Sequence, residues 1–196
     1  YRLVPGRVAL ERLIGEALLG RLRLADDPSM STVEHLVDFA MRLRHFTLAN
    51  PGTAAYAQHS FPRGPSGVTA MATEVTALTS RGYSPGAAIG LCGAVASLAL
   101  GLLAAEDARL SRAANLDEAA QEAANASAAV LDDPVLRTAH FDTPALDAEE
   151  FFHLVISASV RGLIESLPPG RPLDGLVDTT RRGLARQPLP DKETEY

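Results

Sequence analysis

The sequence contains no tryptophan, a single cysteine and only 5% aromatic residues. The lone cysteine, Cys92, excludes an internal disulfide and a cysteine-based zinc cage, and its place in an apolar run is typical of a buried thiol. With so few aromatic residues, the interior must be built from Leu, Val, Ile and Ala. This use of cysteine favours a reducing compartment, and we expect a cytoplasmic protein.

Basic residues are in the minority. Lys and Arg number 18 against 24 Asp and Glu, which gives a formal net charge of −6. A surface of that sign repels phosphate, so these residues alone are not expected to grip nucleic acid. The sequence also lacks G-x-S-x-G, H-E-x-x-H and a glycine-rich phosphate loop after a strand. We therefore expect neither an enzyme nor a cofactor or metal site.

Apolar residues recur at helical spacing, and no segment shows the sustained alternation of a strand. Ser31 with Glu34 three residues later predicts a capping box, and the same pattern recurs at Asp147. Asn50 before Pro51 predicts another helix start. The predicted helices cover residues 31–49, 51–60, 65–82, 84–109, 147–167 and 173–186. The predicted fold class is all-α, a helical bundle.

Two polar segments interrupt this pattern. Residues 110–146 are rich in alanine and polar residues, and we interpret them as a mobile insertion between two strongly apolar helices. Residues 188–196 form a polar tail that we expect to be frayed.

The longest apolar run, from Ser84 to Ala105, carries no charged side chain and is long enough to span a bilayer. Alanine and glycine dominate it, however, and acidic residues follow at once, unlike a membrane helix with aromatic and basic ends. Its small residues recur on one helical stripe that lets another backbone approach closely. The members of this stripe that we assign to an interface are Gly90, Gly93, Ser97 and Gly101. We expect no membrane span.

A second apolar helix, "FFHLVISASVRGLIE", carries its own interface candidates, Val155, Ala158 and Gly162. Two helices that are apolar nearly all round must each be covered on every side. A second copy of the chain supplies that cover, because two helices from each subunit form a four-helix bundle. The sequence therefore predicts a homodimer.

The opening "YRLVPGRVALERLI" resembles the end of the DNA-binding region in the TetR (tetracycline-repressor) family of transcriptional regulators, with Tyr1, Val4, Arg7 and Leu10 in the signature positions. The helix start in "LANPGTAAYAQHS" is similar to that family as well. The order of three later segments is also similar to that family. These segments are "RGYSPGAAIGLCGAVASLALGLLAAEDAR", a polar insertion and the second apolar helix. The resemblance covers residues 1–167.

The resemblance implies that residues 1–23 hold the end of a helix-turn-helix and a connecting helix, with the remainder lying upstream, and that residues 24–187 form an effector-binding and dimerisation domain. Tyr1 and Arg7 would then lie near the phosphate backbone of double-stranded operator DNA. A packing residue at a helix end is the alternative for Tyr1, and a solvated charge is the alternative for Arg7.

The family binds its small-molecule effector inside the helical domain. On the predicted helix 31–49, Phe39, Leu43 and Phe46 share one face, and Met71 shares a face with Glu74 on another helix. The resemblance places Glu74 near a polar ligand contact and His59, or its neighbour Gln58, near a metal-linked histidine. The predicted ligand-binding residues are Phe39, Leu43, Phe46, His59, Arg63, Met71, Glu74 and Cys92.

Each of these residues also has an ordinary structural explanation. The aromatic stripe fits a hydrophobic core, Glu74 fits a solvated face, His59 fits a helix-end surface and Arg63 fits a plain loop charge. The resulting hypothesis is a homodimeric, ligand-responsive DNA-binding regulator, a repressor released from its operator by a small apolar effector. The alternative is a dimeric helical-bundle binding or scaffold module with no DNA role.

Overall fold

The computed structural model describes residues 5–60, 64–113 and 132–185, and these ranges contain eight helices and no strand. In chain order the helices are α1 (Arg7–Leu19), α2 (Thr32–Leu48), α3 (Ala54–Ser60), α4 (Gly64–Ser80), α5 (Pro85–Ala113), α6 (Pro134–Asp142), α7 (Ala148–Ser166) and α8 (Leu173–Ala185). The prediction of an all-α fold is confirmed.

Both predicted capping boxes are present. The Ser31 hydroxyl accepts a hydrogen bond from the Glu34 backbone N–H at 3.3 Å, and the Glu34 carboxylate accepts one from the Ser31 backbone N–H at 2.8 Å. Asp147 and Glu150 make the same reciprocal pair at the start of α7. These hydrogen bonds satisfy backbone donors that a helix start leaves unpaired, so the short sequence pattern is enough to fix both positions.

The predicted helix start at Pro51 is wrong, because α3 begins at Ala54. Asn50 does not cap it: its side-chain amide donates to the Phe46 carbonyl at 2.8 Å and closes the last turn of α2 instead. Gly52 then takes φ +81°, a left-handed conformation that breaks the helical path. A tight turn therefore separates α2 from α3, where the sequence pattern predicted that a new helix begins directly at Pro51.

Helix α5 lies at the centre of the fold and packs against α2, α3, α4, α7 and α8. Its buried side chains are small or aliphatic, and they include Leu91, Cys92, Val95, Ala99, Leu100 and Leu103. Facing them are Leu36, Phe39 and Leu43 from α2 and Phe152 and Ile156 from α7. Aliphatic packing around one apolar helix thus forms the core, as the composition predicts.

One helix in the described ranges, over Pro85–Leu110, is long and apolar enough to span a bilayer. Half of its most apolar window is buried by other helices of the same chain. A core helix of a soluble protein has the same character, and the fold is compatible with that interpretation.

The segment predicted as a mobile insertion is only partly described. Helix α5 continues to Ala113, four residues beyond its predicted end, and α6 follows later with every side chain exposed. Residues 114–131 and the predicted tail 188–196 lie outside the described ranges.

Candidate functional site

A buried hydrogen-bonding contact between two side chains joins α2 to α4. The Nε2 atom of His35 lies 2.9 Å from the Oε2 atom of Glu74, and the two residues are 2% and 1% exposed. On the other side of the imidazole, Nδ1 lies 3.6 Å from the Asp26 carboxylate, which is an ion-pair distance but too long for a hydrogen bond. The Asp26 carboxylate in turn pairs with Arg81 at 2.7 Å. The imidazole therefore lies between two carboxylates.

Arg81 fixes the segment between α1 and α2 to the end of α4. Besides its ion pair with Asp26, its guanidinium donates to the Asp27 carbonyl at 2.8 Å and to the Ala77 carbonyl at 2.7 Å. The contacts from buried Glu74 and His35 to exposed Asp26 and half-buried Arg81 thus connect α2, α4 and this connecting segment.

Glu74 is consequently not the solvated residue that the sequence left open. The sequence singled out Glu74 as a ligand contact, which stays a prediction, and it missed the partner His35. His35 lies four residues before Phe39 and eight before Leu43, so helical spacing already placed it on the core-facing side of α2. A histidine and a glutamate on two apolar faces were the available signal, although sequence spacing could not show that they meet.

Several predicted ligand-binding residues lie in the core around this pair. Phe39, Leu43 and Cys92 are buried, and Phe46 and Met71 are half-buried against the same cluster. Burial and the nearby Glu74 charge raise the pKa of the Cys92 thiol to about 12. These residues are close-packed, and the prediction that they line an effector pocket stays a prediction.

Other predicted positions lie outside what the structure describes. Tyr1 and Arg63 fall outside the described ranges. Arg7 begins α1 and His59 belongs to α3, but their side chains are not described. The predictions of DNA-backbone and effector contacts at these positions are therefore untested.

A cleft of about 450 Å³ opens between the C-terminal half of α5 and the start of α7. Its apolar wall consists of Leu102, Ala105, Leu146, Ala148, Phe151 and Phe152. Three charged residues, Glu106, Arg109 and Asp147, complete the lining. Sequence reasoning missed this cleft, since its two sides are far apart along the chain.

Arg44, a buried residue of α2, contacts two residues of this cleft. Its guanidinium donates to the Glu106 carboxylate at 3.2 Å and lies 5.7 Å from the centre of the Phe152 ring. It also lies 3.5 Å from the carboxylate of Glu149, near the start of α7. One arginine thereby joins α2, α5 and α7 through ion pairs and a cation–π contact.

Helix α1 contacts both α3 and α4 closely. The Glu16 carboxylate accepts a 2.7 Å hydrogen bond from the backbone N–H of Ser66 in the first turn of α4. At the neighbouring Gly15 a β-carbon would overlap the ring of Tyr56 from α3. Beside this contact lies a second cleft of about 300 Å³, lined by Leu19, Leu22, Leu24, Ser66, Thr69 and Thr73.

Helices α5 and α7 pack against each other, and among the described residues each has one side that no other helix covers. We define the α5–α7 face by exposed residues or open glycines on these sides: Gly86, Ile89, Gly93 and Ser97 on α5, and Phe151, Leu154, Ala158 and Gly162 on α7. Ile89 and Leu154 are each 55% exposed. Nothing lies within 4 Å of where a β-carbon on Gly93 or Gly162 would be.

Three other predicted interface residues are placed differently. Gly101 faces Gln58 of α3, whose Nε2 atom lies 3.7 Å from an added β-carbon, so it belongs to an internal contact. At the helical step it lies about 120° around α5 from Ile89, which is also a member of the face. Gly90 is exposed, but a β-carbon added there would lie 3.6 Å from Leu173 of α8, and Val155 is half-buried.

Within the described ranges, no group of three or more His, Cys, Asp or Glu side chains has the arrangement of a metal site. Comparisons with protein-family models, with curated proteins and with solved structures give no match. The function is therefore argued from the faces, clefts and contacts described above.

Proposed function

We propose that this chain is the effector-binding and dimerisation part of a ligand-responsive, cytoplasmic DNA-binding regulator, a repressor that a small apolar effector releases from its operator. The observation that carries the proposal is the α5–α7 face. It combines exposed Ile89, Phe151 and Leu154 with positions that lack side-chain bulk. Such a surface suits close helix packing against a second copy.

A homodimer explains the composition of both helices. Two copies of α5 and α7 make a four-helix bundle in which the small residues allow the backbones to approach. A two-fold axis through that bundle also suits DNA recognition, because a two-fold protein reads two half-sites about 34–36 Å apart. The helix order follows the one that the resemblance to the tetracycline-repressor family implies.

The acidic charge of the chain fits a protein in which DNA binding and effector binding belong to different domains. At a net charge of −6 these residues do not supply a DNA-binding surface, and the proposal assigns that task to a helix-turn-helix ending near Tyr1 and Arg7. In this scheme α1 connects the helix-turn-helix to the effector domain. Its contacts through Gly15 and Glu16 support that role, because they tie its position to α3 and α4.

In this proposal the effector releases the protein from DNA by shifting the population between two conformations. An effector that binds better when α3 or α4 is displaced favours the conformation in which α1 is displaced with them. The distance between the two recognition helices then no longer matches the half-sites. A difference of a few kcal/mol in effector affinity between the two geometries is sufficient.

The test uses the full-length protein and selects binding sites from a random DNA pool. We expect a two-fold symmetric site, bound by the dimer and lost in Gly162→Trp, which places bulk on the α5–α7 face. Val68→Trp, on an exposed part of α4, is the matched control and should bind like the wild type. A stable dimer that selects no DNA would instead support the scaffold alternative.

A further inference from the structure

The cleft between α5 and α7 has the size and lining of a small-molecule site. Its volume of about 450 Å³ lies within the range of roughly 300–1,000 Å³ that such sites occupy. Phe151 and Leu146 present exposed apolar surface to it, at 51% and 44% exposure. An apolar molecule that enters the cleft would cover this surface and remove it from water.

The two acidic residues of the lining already have partners. Glu106 is neutralised by the buried guanidinium of Arg44 at 3.2 Å. Asp147 caps α7, and its carboxylate accepts hydrogen bonds from the backbone N–H groups of Glu149 and Glu150, both at 2.8 Å. Both carboxylates therefore already interact with positive or partly positive groups of the protein, which lowers their attraction for a ligand cation.

Arg109 is the third charged residue of the cleft lining. It is exposed, and it makes no ion pair with any residue of the described ranges. Glu106 lies three residues earlier on the same helix and would be the natural local partner, but its carboxylate is directed to Arg44. The planar guanidinium of arginine offers two parallel donors, which match the two oxygens of a carboxylate.

We propose that this cleft binds an apolar monocarboxylic acid, with the hydrocarbon body on the Leu102, Leu146 and Ala148 side chains and the carboxylate on Arg109. The proposal concerns binding alone and holds whether or not the chain regulates transcription. It differs from the effector pocket predicted around Glu74, because none of the residues predicted for that pocket lines this cleft.

The first experiment compares three probes with the same hydrocarbon chain by titration calorimetry: decanoate, decanol and decylammonium. We expect decanoate to bind about tenfold or more tightly than decanol, since a hydrogen bond to a charged partner is added. Decylammonium should bind no better than decanol. Tighter binding of decylammonium would overturn the proposal and identify Glu106 as the recognising group, and equal affinities for all three would reduce the cleft to an apolar surface.

Two variants locate the site. Arg109→Gln should lower decanoate affinity about tenfold and leave decanol affinity unchanged, because only the charged contact is lost. The matched control is Arg21→Gln, which removes an exposed arginine that does not line the cleft and should change neither. Ala105→Trp, which fills the cleft, should abolish binding of both probes. Wild-type decanoate binding by Arg109→Gln, or by Ala105→Trp, would overturn the proposal.

Discussion

The imidazole of His35 and the carboxylate of Glu74 are joined at 2.9 Å inside the protein, although the residues lie 39 positions apart in the sequence. This contact links α2 to α4, and Asp26 approaches the same imidazole from the segment that follows α1. Buried polar groups are costly without a hydrogen-bond partner, so His35 and Glu74, which are both buried, depend on each other. The pair therefore governs how α2, α4 and that connecting segment stay together.

Removing either partner should strongly destabilise the protein. We expect His35→Ala and Glu74→Ala each to lower the free energy of unfolding by about 3–5 kcal/mol, because the remaining group stays buried without its partner. The double variant should lose less than the sum of the two. Urea denaturation of the four proteins gives the coupling energy.

The partly exposed ion pair Arg42–Asp38, at 2.6 Å within α2, is the control for this experiment. Asp38→Ala should change the free energy of unfolding by less than about 1 kcal/mol, since surface ion pairs contribute little. Additive losses at His35 and Glu74 would contradict the buried-pair interpretation.

At Gly15, in the contact between α1 and α3, we expect alanine to destabilise the protein although alanine has the higher helix propensity. Gly15→Ala should lower the free energy of unfolding by about 1–3 kcal/mol, because the added methyl group overlaps the ring of Tyr56. Gly175→Ala in α8 meets nothing within 4 Å and should instead stabilise the protein by up to about 1 kcal/mol. Denaturation curves of the two variants should therefore shift in opposite directions; a stabilising Gly15→Ala would show that α1 is not closely packed on α3.

The buried thiol provides a probe of the core. Because its pKa is raised to about 12, Cys92 stays protonated and unreactive in the folded protein at pH 8, whereas an unfolded cysteine near its ordinary pKa reacts. Labelling with a thiol-reactive chromogenic disulfide at pH 8 should require denaturant, and its rate should follow unfolding. Fast stoichiometric labelling in native buffer would show that Cys92 lines an open space.

The parts of the fold that depend on neighbouring residues were predictable from the sequence. The capping boxes at Ser31 and Asp147 involve residues three apart, and both helix starts are as predicted. The start of α3 was not, because Asn50 and Pro51 suit a helix start but also suit the turn that Gly52 completes. The capping-box pattern fits only a helix start, whereas the pattern Asn50-Pro51 fits either a helix start or a turn.

The site depends on contacts between residues that are far apart in the sequence. Sequence patterns do not predict which of these residues pair. Glu74 was singled out, yet its pairing with His35 and the neutralisation of Glu106 by Arg44 depend on how helices pack. Gly101 shows the same limit, because a regular spacing of small residues does not say which of them face another subunit and which face Gln58 of the same chain.

The most direct test of the account is the mass of the purified, detergent-free protein by light scattering. We predict twice the chain mass of 20.7 kDa for the wild type and for Val68→Trp. Ser97→Trp and Gly162→Trp should give a folded monomer, because both residues are exposed within one chain and become crowded only between two. A monomeric wild type, or a dimer that both face variants leave intact, would contradict the assignment of the α5–α7 face as the subunit interface.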